Sequence, residues 1–168
     1  LFKDIFEYHG PKPDIRQFRD FDAIIEYIIS GINVLTEKEG YPLSEIAILY
    51  PVKHQKDNHS FSIPEALRAV LESRGIFNFW VSEDYRSKRS YDITTNSVTI
   101  SIIHSVKGLD YAVVFLVGLD MVEPGKPWTE EQLRNLIYVG ITRARYKLFV
   151  PYTIKNWAIS KLLESNHG

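Results

Sequence analysis

Polar side chains that can bind phosphate and sugar groups are concentrated in one short segment. It offers the imidazole of His104, the hydroxyl of Ser105, the ammonium of Lys107 and the carboxylate of Asp110. The first three groups can donate to phosphate oxygens, and the carboxylate can accept from a ribose hydroxyl. Gly108 allows a ligand to approach the backbone closely. An ordinary polar connection between two strands has a similar composition, so both interpretations stay open for this segment on its own.

Arg143 is a second candidate for chemistry. It lies near the end of a predicted helix that opens at Thr129 and runs to about Ala144. A cation at that end interacts favourably with the helix dipole, which is a structural role. The functional interpretation is an arginine finger, a planar cation aimed at the charge on a γ-phosphoryl group during its transfer. One arginine does not separate these two interpretations.

Strand and helix patterns alternate along the chain and predict an α/β fold with a mainly parallel sheet. The predicted strands cover residues 14–18, 46–50, 76–81, 98–103, 112–118 and 146–150, and the predicted helices begin near residues 21, 63, 130 and 157. Because ligands of such sheets bind at the carboxyl ends of the strands, a site is expected at Tyr50–Lys53 and His104–Asp110. The charged stretch Ser82–Ser97 has no clear period, which favours a surface connection.

Composition limits the partners that the chain can have. The 168 residues fit one domain, and 45% apolar with 24% charged residues is a soluble globular balance. The net charge of −1 excludes a strong overall basic field. Any contact with nucleic acid must therefore come from a local cluster of cations.

The residue types and their spacing give no support for a metal site, a disulfide bond or a membrane-spanning segment. The chain has no cysteine, and its five histidines lack the spacing of zinc ligands, so no metal site is expected. The apolar runs are strand-sized, and no signal peptide opens the chain. A cytoplasmic protein is expected, and the start at Leu1 favours a fragment of a longer chain.

Three segments together resemble a known family. TISIIHSVKGLDYAVVFLVGLD resembles motif V of UvrD/Rep-like superfamily 1 DNA helicases, and LRNLIYVGITRAR resembles their motif VI. IAILYPVK, upstream, resembles motif IV, so the resemblance covers roughly Ile46 to Val150. It implies that residues 1–168 form one RecA-like, three-layer domain, the second motor domain of a helicase. It also implies ATP and Mg²⁺ in the full-length enzyme, an N-terminal RecA-like domain of the same polypeptide as partner, and single-stranded or partly duplex DNA.

The resemblance implies roles for individual residues. Arg143 is expected to reach the γ-phosphate, Tyr50 to lie against the adenine base and Asp110 to lie near the ribose. Gly108 is expected to belong to the same nucleotide-binding turn. The DNA contacts implied by motif V fall on the strand and the loop that follows it: Thr99, Ser101, His104, Ser105 and Lys107.

The chain departs from the family pattern in three places. Pro51, which has no donor, stands where the family has an arginine, and Lys53 is the candidate to replace that cation. Asp110 stands where the family has a glutamate, so its side chain is one methylene shorter. The large helical subdomain that the family inserts before motif V is absent, which indicates a compact lineage.

The chain lacks the phosphate loop and identifiable carboxylates for magnesium. We therefore expect that it neither hydrolyses ATP nor unwinds DNA alone. Two other interpretations remain open at this stage. One is a non-catalytic module that binds DNA or protein with a degenerate helicase fold, and the other is an unrelated α/β nucleotide-binding domain.

Overall fold

The computed structural model describes residues 10–51, 62–81, 96–125 and 128–166, and a parallel sheet forms its centre. The six strands, β1 to β6, are Asp14–Gln17, Ile46–Tyr50, Asn78–Trp80, Val98–Ile102, Tyr111–Leu116 and Ala144–Tyr152. They lie in the order β1-β6-β5-β2-β4-β3, and all neighbouring pairs run parallel. The predicted α/β fold with a mainly parallel sheet is confirmed.

Helices cover both faces of the sheet and complete three layers. They are α1 (Phe21–Glu37), α2 (Ile63–Ser73), α3 (Glu130–Ile141) and α4 (Trp157–Asn166). Apolar side chains of α1 and α2 pack on one face, and those of α3 and α4 pack on the other. Since side chains alternate along a strand, β2 sends Ile48 to the first face and Leu49 to the second.

The helix starts follow the capping patterns of the sequence. The Thr129 hydroxyl accepts from the Gln132 amide at 3.1 Å, and the Gln132 side chain accepts from the Thr129 amide at 2.9 Å. This reciprocal pair is a capping box, and it stands at the predicted start of the helix. At α2, the Ser62 hydroxyl accepts from the Glu65 amide at 3.4 Å, so Ser62 is the N-cap.

The end of α3 differs from the prediction. The helix stops at Ile141 rather than near Ala144, and β6 begins at Ala144 rather than at Tyr146. The reason is a contact distant in sequence, since the Tyr111 amide donates to the carbonyl of Arg143 at 2.8 Å. This bond joins Arg143, the second residue after the helix, to the first residue of β5.

The connection from β4 to β5 crosses one face of the sheet. Both strands flank β2 and run parallel, so the chain has to return from the carboxyl edge to the amino edge. It does so through a 3₁₀ helix, Ile103–Val106, which packs on the face covered by α3 and α4. The segment expected to form the site therefore spans the two edges of the sheet.

Candidate functional site

The β4–β5 connection presents most of its polar side chains to solvent. His104, Lys107, Gly108 and Asp110 are exposed, and Ser105 is partly buried. Buried Ile103 and Val106 anchor the 3₁₀ helix in the core, and Gly108 has a positive φ of 91° that turns the chain toward β5. The connection is thus an anchored loop whose exposed surface is polar apart from Leu109, and its polar groups can donate to phosphates.

Arg143 follows α3 and folds back over its last turn. Its Nε donates to the Val139 carbonyl at 3.0 Å, and its Nη2 donates to the Thr142 hydroxyl at 3.1 Å. Its Nη1 donates to the carbonyl of Leu109 at 2.8 Å. The structural role weighed for this arginine is therefore present, because the side chain binds a carbonyl at the end of the helix. The same guanidinium also contacts the β4–β5 connection directly, at Leu109.

The site lies at both edges of the sheet rather than at the carboxyl edge alone. His104 follows the end of β4, as expected, but Asp110 directly precedes β5 and Arg143 directly precedes β6. The expectation that all of residues 104–110 lie at the carboxyl ends was wrong. The cause is the path of the connection, which has to reach the amino edge before β5 begins.

Tyr50 lies apart from Arg143. It is the last residue of β2, at the carboxyl edge, and its ring belongs to the core under α1 and α2. Only 3% of the residue is exposed, and its hydroxyl accepts from Trp80 Nε1 at 2.9 Å. Burial raises the pKa of Tyr50, and the hydrogen bond from Trp80 partly opposes that rise. Tyr50 and Arg143 thus lie at opposite edges, and the Tyr50 ring is on the face opposite α3.

Two other expected DNA contacts are inside the sheet. Thr99 is 8% exposed and Ser101 is 0% exposed, both within β4. The Ser101 hydroxyl donates to the Ile102 carbonyl at 2.8 Å. In this conformation neither side chain offers a surface to a DNA strand. Lys53, the candidate replacement for the missing arginine, lies outside the described residues.

Asp110 is engaged in an ion-pair cluster that the sequence did not indicate. Arg145 donates to Asp110 through Nη1 and to Glu45 through Nη2. Glu45 also accepts from the Ala112 amide at 3.2 Å. The hydrogen bond to Glu45, followed by the one to Asp110, raises the pKa of Arg145. Arg145 had no assigned role in the sequence, because nothing local to its motif shows that two distant carboxylates meet there.

The described ranges hold no group of three or more His, Cys, Asp and Glu side chains arranged to bind a metal ion. None of the helices described is both long and apolar enough to cross a membrane.

Comparison with known families finds one family whose pattern covers most of this region. Residues 63–155 match the family described as the UvrD-like helicase C-terminal domain. The matched segment includes the β4–β5 connection, α3 and Arg143.

Curated relatives are helicases much longer than this chain. A probable DNA helicase II homolog of Rickettsia felis is 30% identical over 144 residues, which are 76% of this chain and 21% of that protein. The ATP-dependent DNA helicase PcrA of Leuconostoc citreum is 45% identical over 104 residues, covering 58% of this chain and 13% of that protein. The chain thus spans about a fifth or less of the length of these relatives.

A solved structure supports the same fold. The C-terminal domain of a possible DNA helicase from Lactobacillus plantarum WCFS1 aligns with a TM-score of 0.59 and 18% identity. The alignment covers 86% of this chain and 75% of that one. At this identity the likeness concerns the fold alone. Because the family match spans more than half of the chain, this protein belongs to the family of UvrD-like helicase C-terminal domains.

Proposed function

We propose that this domain is the second motor domain of an ATP-dependent superfamily 1 DNA helicase, with Arg143 as its arginine finger. The observation that carries the proposal is the 2.8 Å hydrogen bond from Arg143 Nη1 to the Leu109 carbonyl. It joins the end of the motif VI helix to the motif V loop. A ligand that moves one of these groups therefore acts on the other, which is the coupling that a motor needs between nucleotide and DNA.

Arg143 keeps donors for a phosphate in this arrangement. Its three hydrogen bonds within the described part of the chain use three of the five N–H groups of a guanidinium. The other two are free to donate to a γ-phosphoryl oxygen across an interdomain cleft. In this proposal an N-terminal RecA-like domain supplies the phosphate loop and the ligands of Mg²⁺, since this chain contains no such loop. The chain alone would then not hydrolyse ATP.

The remaining contacts are assigned by position. Exposed His104 and Lys107, with Ser105, are proposed to bind the phosphates of single-stranded DNA, largely without regard to base sequence. Asp110 is proposed to contact the ribose. Contact of Tyr50 with adenine would need more than release of its ring from Trp80, because Tyr50 lies at the opposite edge and on the opposite face of the sheet from Arg143.

Substitution of Arg143 in the full-length protein tests the proposal. We expect Arg143→Ala to lower kcat of DNA-stimulated ATP hydrolysis by at least about 10³-fold, the usual contribution of an arginine finger, with little change in KM for ATP. Arg74→Ala is the matched control, because Arg74 also follows a helix and pairs with Glu26 at 2.6 Å, but on the opposite face. Equal rates for wild type and Arg143→Ala would favour the non-catalytic module instead.

A further inference from the structure

β6 contains an irregularity directly after Arg143. Tyr111 pairs with Ala144 and Val113 pairs with Lys147, so two steps along β5 match three steps along β6. One extra residue therefore lies in β6 between these pairs. An extra residue in one strand, as in a β-bulge, changes the directions of nearby side chains, and bulges are frequent beside functional sites. Arg145 lies within this bulge.

The redirected side chain of Arg145 connects the starts of three strands. Its guanidinium binds Asp110, which precedes β5, and Glu45, which precedes β2, while Arg145 itself is in β6. A planar guanidinium can hold two carboxylates at once with fixed geometry, whereas an ammonium cannot. The hydrogen bond to Glu45, and then that to Asp110, raises the pKa of Arg145, so these contacts favour the charged guanidinium.

Asp110 is the neighbour of the two residues that hold Arg143. On one side, Leu109 accepts from the Arg143 guanidinium at 2.8 Å. On the other side, the Tyr111 amide donates to the Arg143 carbonyl, also at 2.8 Å. Residues 109 and 111 therefore bind the side chain and the backbone carbonyl of Arg143. Arg145 holds the residue between them, through its ion pair with the Asp110 carboxylate.

We propose that Arg145 is a positioning residue, which bridges Asp110 and Glu45 and thereby holds the Leu109 carbonyl where it orients the Arg143 guanidinium. The functional consequence of this inference rests on the proposed function, whereas its structural part does not. Arg145 then sets the direction of the finger and restrains the carboxylate proposed for the ribose, without contacting the nucleotide.

The structural part is tested on the 168-residue chain itself. The probe is hydrogen exchange at the Arg143 Nε–H group, which donates to Val139, followed by NMR. We expect Arg145→Ala to speed this exchange by about tenfold or more, because a restrained hydrogen bond opens more often once its support is lost. Lys147→Ala is the matched control: Lys147 is also in β6 and pairs with Glu39 at 3.0 Å, with similar side-chain exposure (38% against 35% for Arg145).

The functional part is tested on the full-length protein. We expect Arg145→Ala to lower kcat for ATP about tenfold, with KM within about twofold, because a displaced catalytic group weakens the transition state more than the ground state. Lys147→Ala should leave both constants unchanged.

Different outcomes overturn different statements. Unchanged Arg143 exchange in Arg145→Ala, or an equal effect in Lys147→Ala, contradicts the positioning role. If Arg145→Ala has a normal kcat for ATP while Arg143→Ala has a strongly reduced one, the functional consequence of the positioning role is contradicted. If Arg143→Ala itself has normal kcat, the proposed function fails, while the exchange measurement still tests the positioning.

Discussion

The guanidinium of Arg143 satisfies two carbonyl groups, one at the end of α3 and one in the turn before β5. Both contacts use donors of fixed relative direction, which a lysine does not provide. The side chain is thus oriented before any ligand binds. Orientation of this kind lowers the cost of reorganisation when charge develops on a transferred phosphoryl group.

Lys107 provides a test of the DNA contact at the scale of one residue. It is exposed in the β4–β5 connection, and we propose that it neutralises one phosphate. We expect Lys107→Ala to weaken single-stranded DNA binding by the full-length protein and to reduce the slope of log K against log salt by about 0.7. Lys38→Ala, an exposed lysine after α1 on the other face, should leave the slope unchanged. Titrations at several salt concentrations measure both, and parallel lines for wild type and Lys107→Ala would refute the contact.

Tyr27 makes the free energy of unfolding of the domain depend on pH in the alkaline range. Burial, followed by the nearby charge of Asp14, raises the pKa of Tyr27 from 10.0 to about 12. The folded state therefore holds this proton more tightly than the unfolded state does. The resulting stability is fully present below pH 10.0 and is lost as the pH rises toward about 12.

Removing that phenol should flatten the alkaline loss of stability. In Tyr27→Phe we expect the free energy of unfolding to fall less steeply between about pH 10 and about pH 12 than in wild type, since no proton is left to lose at this position. The decline should be shallower but not absent, because burial also raises the pKa of Tyr50. Urea unfolding across this range measures it, and identical slopes would contradict the assignment.

At the scale of elements, α3 and the β4–β5 connection behave as one packed unit. Gly140 of α3 is buried, and a Cβ atom placed there would lie 3.1 Å from Ile103 Cδ1 and 3.3 Å from Leu116 Cδ1. The absence of a side chain lets the motif VI helix approach the 3₁₀ helix closely.

A larger residue at position 140 should separate the two elements. We expect Gly140→Val to lower the free energy of unfolding by about 1–3 kcal/mol, the usual cost of overpacking a core. Asn135→Val, at an exposed position of the same helix, controls for the helix propensity of valine. Urea denaturation of the isolated chain compares them. A loss no greater than that of the control would mean that the contact is not tight.

Local patterns were sufficient for most elements but not for their junctions. The continuous apolar run Ile46–Tyr50 predicted β2 with its observed bounds, because a strand buried on both faces has little choice of residues. The end of α3 was not predictable in this way. It is determined by the bond from Tyr111 to Arg143, which links residues far apart in sequence.

The candidate site shows the same division. The two segments that the sequence singled out do meet, since Arg143 binds the Leu109 carbonyl, but the sequence did not specify this contact. The motifs carry no information on which edge of the sheet each residue reaches, so Asp110 was expected at the carboxyl edge. Alternation along β2 puts the side chains of Tyr50 and Ile48 on the same face, but only the structure shows that α1 and α2 cover that face.

At the scale of the whole molecule, we propose that the domain supplies one half of a nucleotide cleft. It spans 21% of the Rickettsia felis relative and 13% of the Leuconostoc citreum one. In our proposal, closure of a partner domain on ATP brings the phosphates to Arg143, and hydrolysis releases them. Through the hydrogen bond between Arg143 and Leu109, each cycle then shifts the loop that is proposed to contact DNA.

The most direct test of the arginine finger is the affinity of the full-length protein for ADP with aluminium fluoride, which mimics the phosphoryl group in transfer. Because a finger acts on the transition state, Arg143→Ala should weaken binding of this mimic by at least about 10²-fold while leaving the affinity for ADP unchanged. Arg74→Ala should bind both as wild type does. Equal affinity of wild type and Arg143→Ala for the mimic would contradict the account.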